Sequence, residues 1–195
     1  MKTDTSERGL ERLICTALTG HPCEPPKEGT VGEPAVGYGG VGWSCGNPQD
    51  YDREYAVDLA QLSVFLEATQ PEQSKGLDLG AETLVRRKFL ARLQGEITKR
   101  GSIDVLRNGI KHGPIHLDLF YGTPSPGNPV AIERNAQNRF SVTRQLRYSS
   151  DETNLALDLG LFINGLPVFT FELKNSLTKQ TVEDAVEQYK RDRNP

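Results

Sequence analysis

Between Leu155 and Lys174 apolar and polar residues alternate through two runs, LALDLGLFI and LPVFTFELK, separated by Asn164-Gly165. Apolar residues hold every odd position from Leu155 to Ile163, and Phe169, Phe171 and Leu173 resume the odd series. This period of two, broken by a turn dipeptide, predicts two antiparallel strands joined as a hairpin. Opposed residues share a face, so matching odd with odd requires paired numbers whose sum is even. A two-residue Asn164-Gly165 turn would pair Ile163 with Leu166, an odd sum. The pattern therefore predicts a three-residue loop, Ile163-Asn164-Gly165, with Gly165 left-handed in a bulge. Asp158 then stands opposite Thr170, Glu172 is its diagonal neighbour about 7–8 Å away, and Lys174 follows on the same face.

Elsewhere the spacing is helical. Leu10, Leu13, Ile14, Ala17 and Leu18 form one stripe of a helix over Ser6 to Leu18, with Thr5 or Ser6 as cap. Glu7 falls inside that stripe and Glu11 on its edge, and an acid on the buried side of a helix needs a partner or a metal. Further helices are predicted over Asp52 to Ala68 and over Leu79 to Lys99, where Val85, Phe89, Leu93 and Ile97 pack and Gly101 stops the helix. A last helix, TVEDAVEQYKRD, opens with Thr181 and Asp184 as a capping pair. Val182, Ala185, Val186 and Tyr189 form its packing stripe, and Gln188 lies beside it.

Strands are predicted at Ile103 to Leu106, at Ile115 to Tyr121 before a PSPGNP loop, and at Arg139 to Tyr148, the last beside the Asp158 hairpin. Arg144 breaks the alternation of that last strand, so it is either paired inside the domain or reaches the active site. Residues 22–50 are too rich in Gly and Pro for regular structure, which makes them a long functional or mobile loop. Gly37, Gly39 and Gly42 formally match G-x-G-x-x-G, but no strand precedes them and no helix follows, so they carry no nucleotide signal.

With 195 residues, 36% of them hydrophobic, the chain has material for one α/β domain spanning 1–195. No run is long and apolar enough for a membrane span, and the start has no signal core. Three cysteines without a secretory signal predict reduced thiols and a cytoplasmic location. Cys15, His21, Cys23 and Cys45 lack the spacing of a zinc knuckle or ribbon. The net charge of −3 by itself argues against a general polyanion binder. Between Ala81 and Ser149, however, twelve Lys or Arg face five acids, a local excess fitting either a phosphate-binding cleft or ordinary surface charge.

Two carboxylates and a lysine on one strand face have a definite chemical use. Carboxylate oxygens suit Mg²⁺, which lowers the pKa of a bound water and neutralises charge on a phosphate undergoing attack, while the lysine orients the water or takes its proton. That chemistry is phosphodiester hydrolysis. The bland alternative is an ion pair on a solvated strand.

Asp158, taken with NGLPVFTFELKN from Asn164 to Asn175, resembles the PD-(D/E)XK nuclease core. In particular it is similar to the amino-terminal endonuclease domain of type I restriction enzyme motor subunits (HsdR). The likeness extends more loosely over SERGLERLI, RQLRYS and DAVEQYKRDRNP, and Gln70 resembles a glutamine of that family. It implies a restriction-endonuclease-like fold, a mixed sheet flanked by helices, with Asp158 and Glu172 as metal ligands and Lys174 as the catalytic lysine. A helix glutamate commonly lies near the ion, which makes Glu7 or Glu11 a candidate. The family's Gln-x-x-x-Tyr helix is matched by Gln188, although position 192 is Asp, and Leu157 replaces the usual proline before the first Asp.

The implied partners are double-stranded DNA, motor domains of the same subunit, and modification and specificity subunits. ATP would act only through the motor domains, since no G-x-x-x-x-G-K-[ST] occurs in this chain. Two other readings stand beside this one: a non-cleaving nuclease-like domain that binds DNA or assembles subunits, and a repair or defence nuclease outside type I systems.

Overall fold

The structure, a computed structural model, describes residues 6–24, 40–149, 155–174 and 181–192. Thr5, Gly37, Gly39, Asn175 and most of the Gly/Pro-rich loop lie outside the described residues, as does the side chain of Tyr189. Among the described residues the chain is mixed α/β, with seven α-helices and a four-stranded sheet. Its contacts divide it into two compact units, Met1–Pro48 with Val142–Gly160 and Thr170–Pro195, and Gln49–Ser141 with Leu161–Phe169.

The second of these units is built on helices. Strands β2 (Tyr51–Asp52) and β3 (Val57–Asp58) form a short ladder before α2 (Leu59–Thr69), which is capped by Asp58 accepting from the Gln61 N–H. The sequence pattern starts this helix at Asp52, and the structure delays it by a turn of chain. Asp52 accepts from the N–H groups of Glu54 and Tyr55, and Ala56 is left-handed, so a local turn displaces the first helical residues. A short α3 (Pro71–Lys75) precedes α4 (Leu84–Arg100), capped by Thr83 and stopped at Gly101 as expected. Phe89 and Leu93 are buried, while Val85 stays exposed because it precedes the turn at which α4 meets the core.

The predicted strand at Ile103 to Leu106 is instead part of helix α5 (Ser102–Asn108). Asp104 takes Arg100 on one side and Asn108 on the other, both four residues away, so helical spacing satisfies the polar residues of this stretch. Strands β4 (Ile110–His112) and β5 (Ile115–Leu117) pair antiparallel, making the second strand shorter than predicted. Helix α6 (Pro129–Ala136), unforeseen in the sequence, begins where the PSPGNP loop ends and is capped by Asn128. Gln70, 7% exposed, grips the Asp118 backbone with both ends of its amide, donating to the carbonyl at 2.7 Å and accepting from the N–H at 2.9 Å. That is a structural clamp. Leu62, Phe65, Leu66, Phe89, Leu93 and Leu119 form the centre of this unit's core.

The four-stranded sheet has the order β1 (Ser44–Cys45), β6 (Phe140–Arg147), β7 (Ala156–Ile163), β8 (Leu166–Phe171). The strand containing Arg144 thus lies next to the one containing Asp158, as its alternation predicts. Between β7 and β8 only Asn164 and Gly165 remain, with φ of 50° and 83°. This is a two-residue turn with both residues left-handed, and it replaces the predicted three-residue loop. Leu157 and Leu159 are buried in β7, Phe162 is buried against the Tyr51 ring, and Ile163 packs with Leu166 and Val168 in the helical unit's core, as expected of residues that meet across a two-residue turn.

Gly165 is left-handed as the parity argument required, and a Cβ there would meet the Asp58 carbonyl and stand 2.7 Å from the Leu62 nitrogen. Asn164 is fully buried. Its amide accepts from the Arg139 N–H at 2.6 Å and donates to the Leu119 carbonyl at 2.9 Å, interactions that lock the two-residue form.

The other unit contains α1 (Glu7–Thr19), capped by Ser6 and ended by left-handed Gly20, and α7 (Val182–Asp192). Val142, Leu146, Leu157, Leu159 and Leu173 are its buried apolar residues together with Cys15. On α7 the expected packing stripe is open, Val182 being 74% and Val186 45% exposed. Cys23 and Cys45 form a disulfide with Cα atoms 5.4 Å apart, which corrects the expectation of reduced thiols. That expectation rested on the number of cysteines and the missing signal, neither of which registers that the chain following α1 returns to β1. Cys15 alone is a free thiol, buried, with its pKa pushed up to about 11 chiefly by burial.

Candidate active site

Strand β7 delivers Asp158, half-buried, and the chain leaving β8 delivers Glu172 and Lys174, two residues apart and so on one side of an extended backbone. The Asp158 carboxylate accepts from the Leu173 N–H. Burial holds its pKa above the usual aspartate range. The Leu173 hydrogen bond opposes that rise, and the negative charges of Glu172, Glu11 and Glu7 add to it. Lys174 Nζ is 3.3 Å from Glu172 Oε1 and donates to Gln188 Oε1 at 2.7 Å. Both Lys174 and Glu172 side chains are largely enclosed.

Gln188 reaches the lysine because Thr181 and Asp184 start α7 with reciprocal capping, Asp184 accepting from the Thr181 N–H and Thr181 Oγ1 accepting in return. A cleft of about 330 Å³ opens beside them, lined by Lys174, Asp184, Glu187, Gln188 and Arg191.

The two glutamates of α1, one turn apart, have different surroundings. Glu11 is 3% exposed. Its Oε2 accepts from Arg144 Nε at 2.9 Å and its Oε1 from Gln145 Nε2 at 3.0 Å. Arg144 is therefore paired inside the fold. Glu7 Oε1 is also buried, yet has no hydrogen-bond partner among the described residues. The two glutamates that the helical pattern left as alternatives thus differ in their contacts. Glu11 is held by Arg144 and Gln145, Glu7 keeps a buried oxygen without a hydrogen-bond partner among the described residues, and both add to the field at Asp158.

Among the described residues no set of three His, Cys, Asp or Glu side chains is gathered into a ready-made metal cage. Mg²⁺ does not require one, since it binds through one or two carboxylates and keeps waters. Asp158 and Glu172 are the carboxylates that could hold such an ion. The orphaned Glu7 oxygen and the mutual repulsion of the acids fit a cation placed among them.

The contact of Gln145 with Glu11 is not foreseen by the sequence pattern. Its only trace there is the broken alternation at Arg144, which marks a strand distortion without naming the residue it serves.

A family model described as the type I restriction enzyme R protein N terminus matches residues 41–195. The chain belongs to this family. The match takes in Arg144, Gln145, Asp158, Glu172, Lys174 and Gln188, and it begins after α1, so Glu7 and Glu11 lie outside it. Comparison with curated proteins and with solved structures gives no match. No helix among the described residues is long and apolar enough to cross a membrane.

Proposed function

We propose that this chain is the Mg²⁺-dependent endonuclease part of a type I restriction enzyme R protein, hydrolysing phosphodiester bonds of double-stranded DNA on a PD-(D/E)XK core. The observation that carries the proposal is the gathering of Lys174, Glu172 and Gln188 next to an Asp158 surrounded by acids, one of which has a buried oxygen without a partner. Asp158 and Glu172 hold the ion, with Glu7 as a further carboxylate toward it. When bound, Mg²⁺ neutralises phosphate charge and makes a water more acidic.

Lys174, fixed between Glu172 and Gln188, directs its remaining N–H toward the scissile phosphate or the attacking water and stabilises charge that grows in the transition state. Gln188 touches Lys174 and keeps it in that position. Motor domains of the same subunit supply ATP-driven movement, and specificity and modification subunits supply target choice.

The test is plasmid cleavage by the assembled enzyme. Asp158→Ala, Glu172→Ala and Lys174→Ala should each lose about 10²–10³-fold or more in rate while remaining folded. Gln188→Ala, which removes only a positioning contact, should lose about 10–100-fold. Wild-type cleavage by Glu172→Ala would overturn the proposal. DNA binding without cleavage by the wild-type enzyme would favour the non-cleaving alternative.

A further inference from the structure

In a regular strand, successive side chains point to opposite faces, so Arg144 and Gln145 should not reach the same group. Here they do, because Gln145 is left-handed, with φ of 50°, in the interior of β6. A non-glycine residue in that conformation is strained and persists only where its surroundings demand it. What it achieves is convergence. Arg144 takes one oxygen of Glu11 through Nε and Nη2, both at 2.9 Å, and Gln145 takes the other. The rest of the Arg144 guanidinium donates to the Pro22 carbonyl at 3.0 Å, which ties the chain leaving α1 to the same point.

Glu11 and Glu7 are four residues apart on α1 and so lie one above the other on one face. Fixing Glu11 therefore fixes the rotation and height at which Glu7 is presented.

We propose that Arg144 and Gln145 are positioning residues that clamp Glu11, and through it set α1 so that the unpartnered Glu7 carboxylate serves the ion held by Asp158 and Glu172. This rests on the metal-dependent reading of the site. The clamp governs affinity for the ion and makes no contact with substrate. Its strain is confined to the one residue that must turn its side chain onto Glu11.

The test is calorimetric titration of Mn²⁺, with Mg²⁺ as competitor, into the full chain without DNA, alongside circular dichroism. Gln145→Gly suits the left-handed backbone and removes one donor, so the fold should survive while Mn²⁺ binding weakens by about tenfold or more, the usual effect of losing a group that orients a ligand. Arg144→Gln should weaken it at least as much. In a Glu7→Gln background, Gln145→Gly should add nothing, because the route runs through Glu7.

A folded Gln145→Gly variant that binds Mn²⁺ as wild type does would overturn the clamp, as would full additivity with Glu7→Gln. If Arg144→Gln does not fold, the two Gln145 measurements decide alone. Failure of the wild-type chain to bind Mn²⁺ at all would instead remove the metal reading itself, and the clamp with it.

Discussion

Asp158 is an acid whose neighbours oppose its charge. Burial comes first among the causes, followed by Glu172, Glu11 and Glu7, and together they raise its pKa in the folded chain above the ordinary 3.8. The folded state then holds the proton more tightly than the unfolded state, so this group's contribution to stability falls as pH rises from about 3.8 through its raised value. Once ionised, the carboxylate works against the fold, and a bound cation would relieve it. Asp158→Asn keeps a carbonyl for the Leu173 N–H and discards the charge. Without divalent ions at pH 7 it should melt at least about 2 °C above wild type. That gap should close as the pH is lowered toward 4, and Mg²⁺ should raise the Tm of wild type more than that of the variant. A thermal-melt series over pH checks this, and a variant that melts lower at pH 7 would show that the acids around Asp158 are not in conflict. The sequence singles out Asp158, Glu172, Lys174 and Gln188, the first three through a strand parity whose three-residue loop is not formed and the last through a family motif. The different surroundings of Glu7 and Glu11 are not legible, because the partners of Glu11, Arg144 and Gln145, lie 133 and 134 residues away along the chain.

Elements with caps and stops can be read closely. Ser6 starts α1, Thr83 starts α4 and Gly101 ends it, since each supplies a group or a backbone freedom that few residues offer. Residues 103–106 mislead because four residues of mixed polarity are too few for periodicity to separate a strand from a helix. The turn after β7 misleads for another reason. Parity assumes that the odd residues of both strands share one buried face, whereas Phe169 is 64% exposed and Ile163 packs with Leu166, so the turn needs no third residue. Two left-handed glycines now test what the turn does. Gly113, with φ of 58°, lies between β4 and β5, and a methyl group added there would meet nothing within 4 Å, so Gly113→Ala should cost only the backbone strain, about 1 kcal/mol. Gly165→Ala adds collisions with the backbone of Asp58 and Leu62 at the start of α2, and should cost at least about twice as much. Urea unfolding of the two variants measures the difference. Equal midpoints would mean that the turn is not held against α2 as described.

At the scale of the whole molecule, charge counted along the sequence differs from charge available to a partner. The twelve cations between Ala81 and Ser149 suggest a basic face, but many are already engaged: Arg86 with Glu82, Arg87 with Glu54, Arg92 with Glu96, Arg100 with Glu96 and Asp104, and Arg144 with Glu11. Some of these acids come from outside the segment, which is why a local count misses them. Lys88, Lys99, Lys111 and Arg147 are exposed and have no acid within ion-pair distance among the described residues. Counterion release makes this distinction measurable, since each phosphate neutralised by a protein cation contributes about 0.9 to the slope of log affinity against log salt. With a double-stranded oligonucleotide and the full chain, Lys88→Ala or Lys99→Ala should each flatten that slope by about 0.9 if its ammonium meets a phosphate. Arg100→Ala should leave the slope unchanged, because its guanidinium is divided among Glu96, Asp104 and the Gly109 carbonyl and releases no counterion on binding. A slope that flattens as much for Arg100→Ala as for Lys99→Ala would mean that DNA draws the arginine away from its acids, and that the basic excess along the chain, rather than its unpaired part, is what the nucleic acid meets.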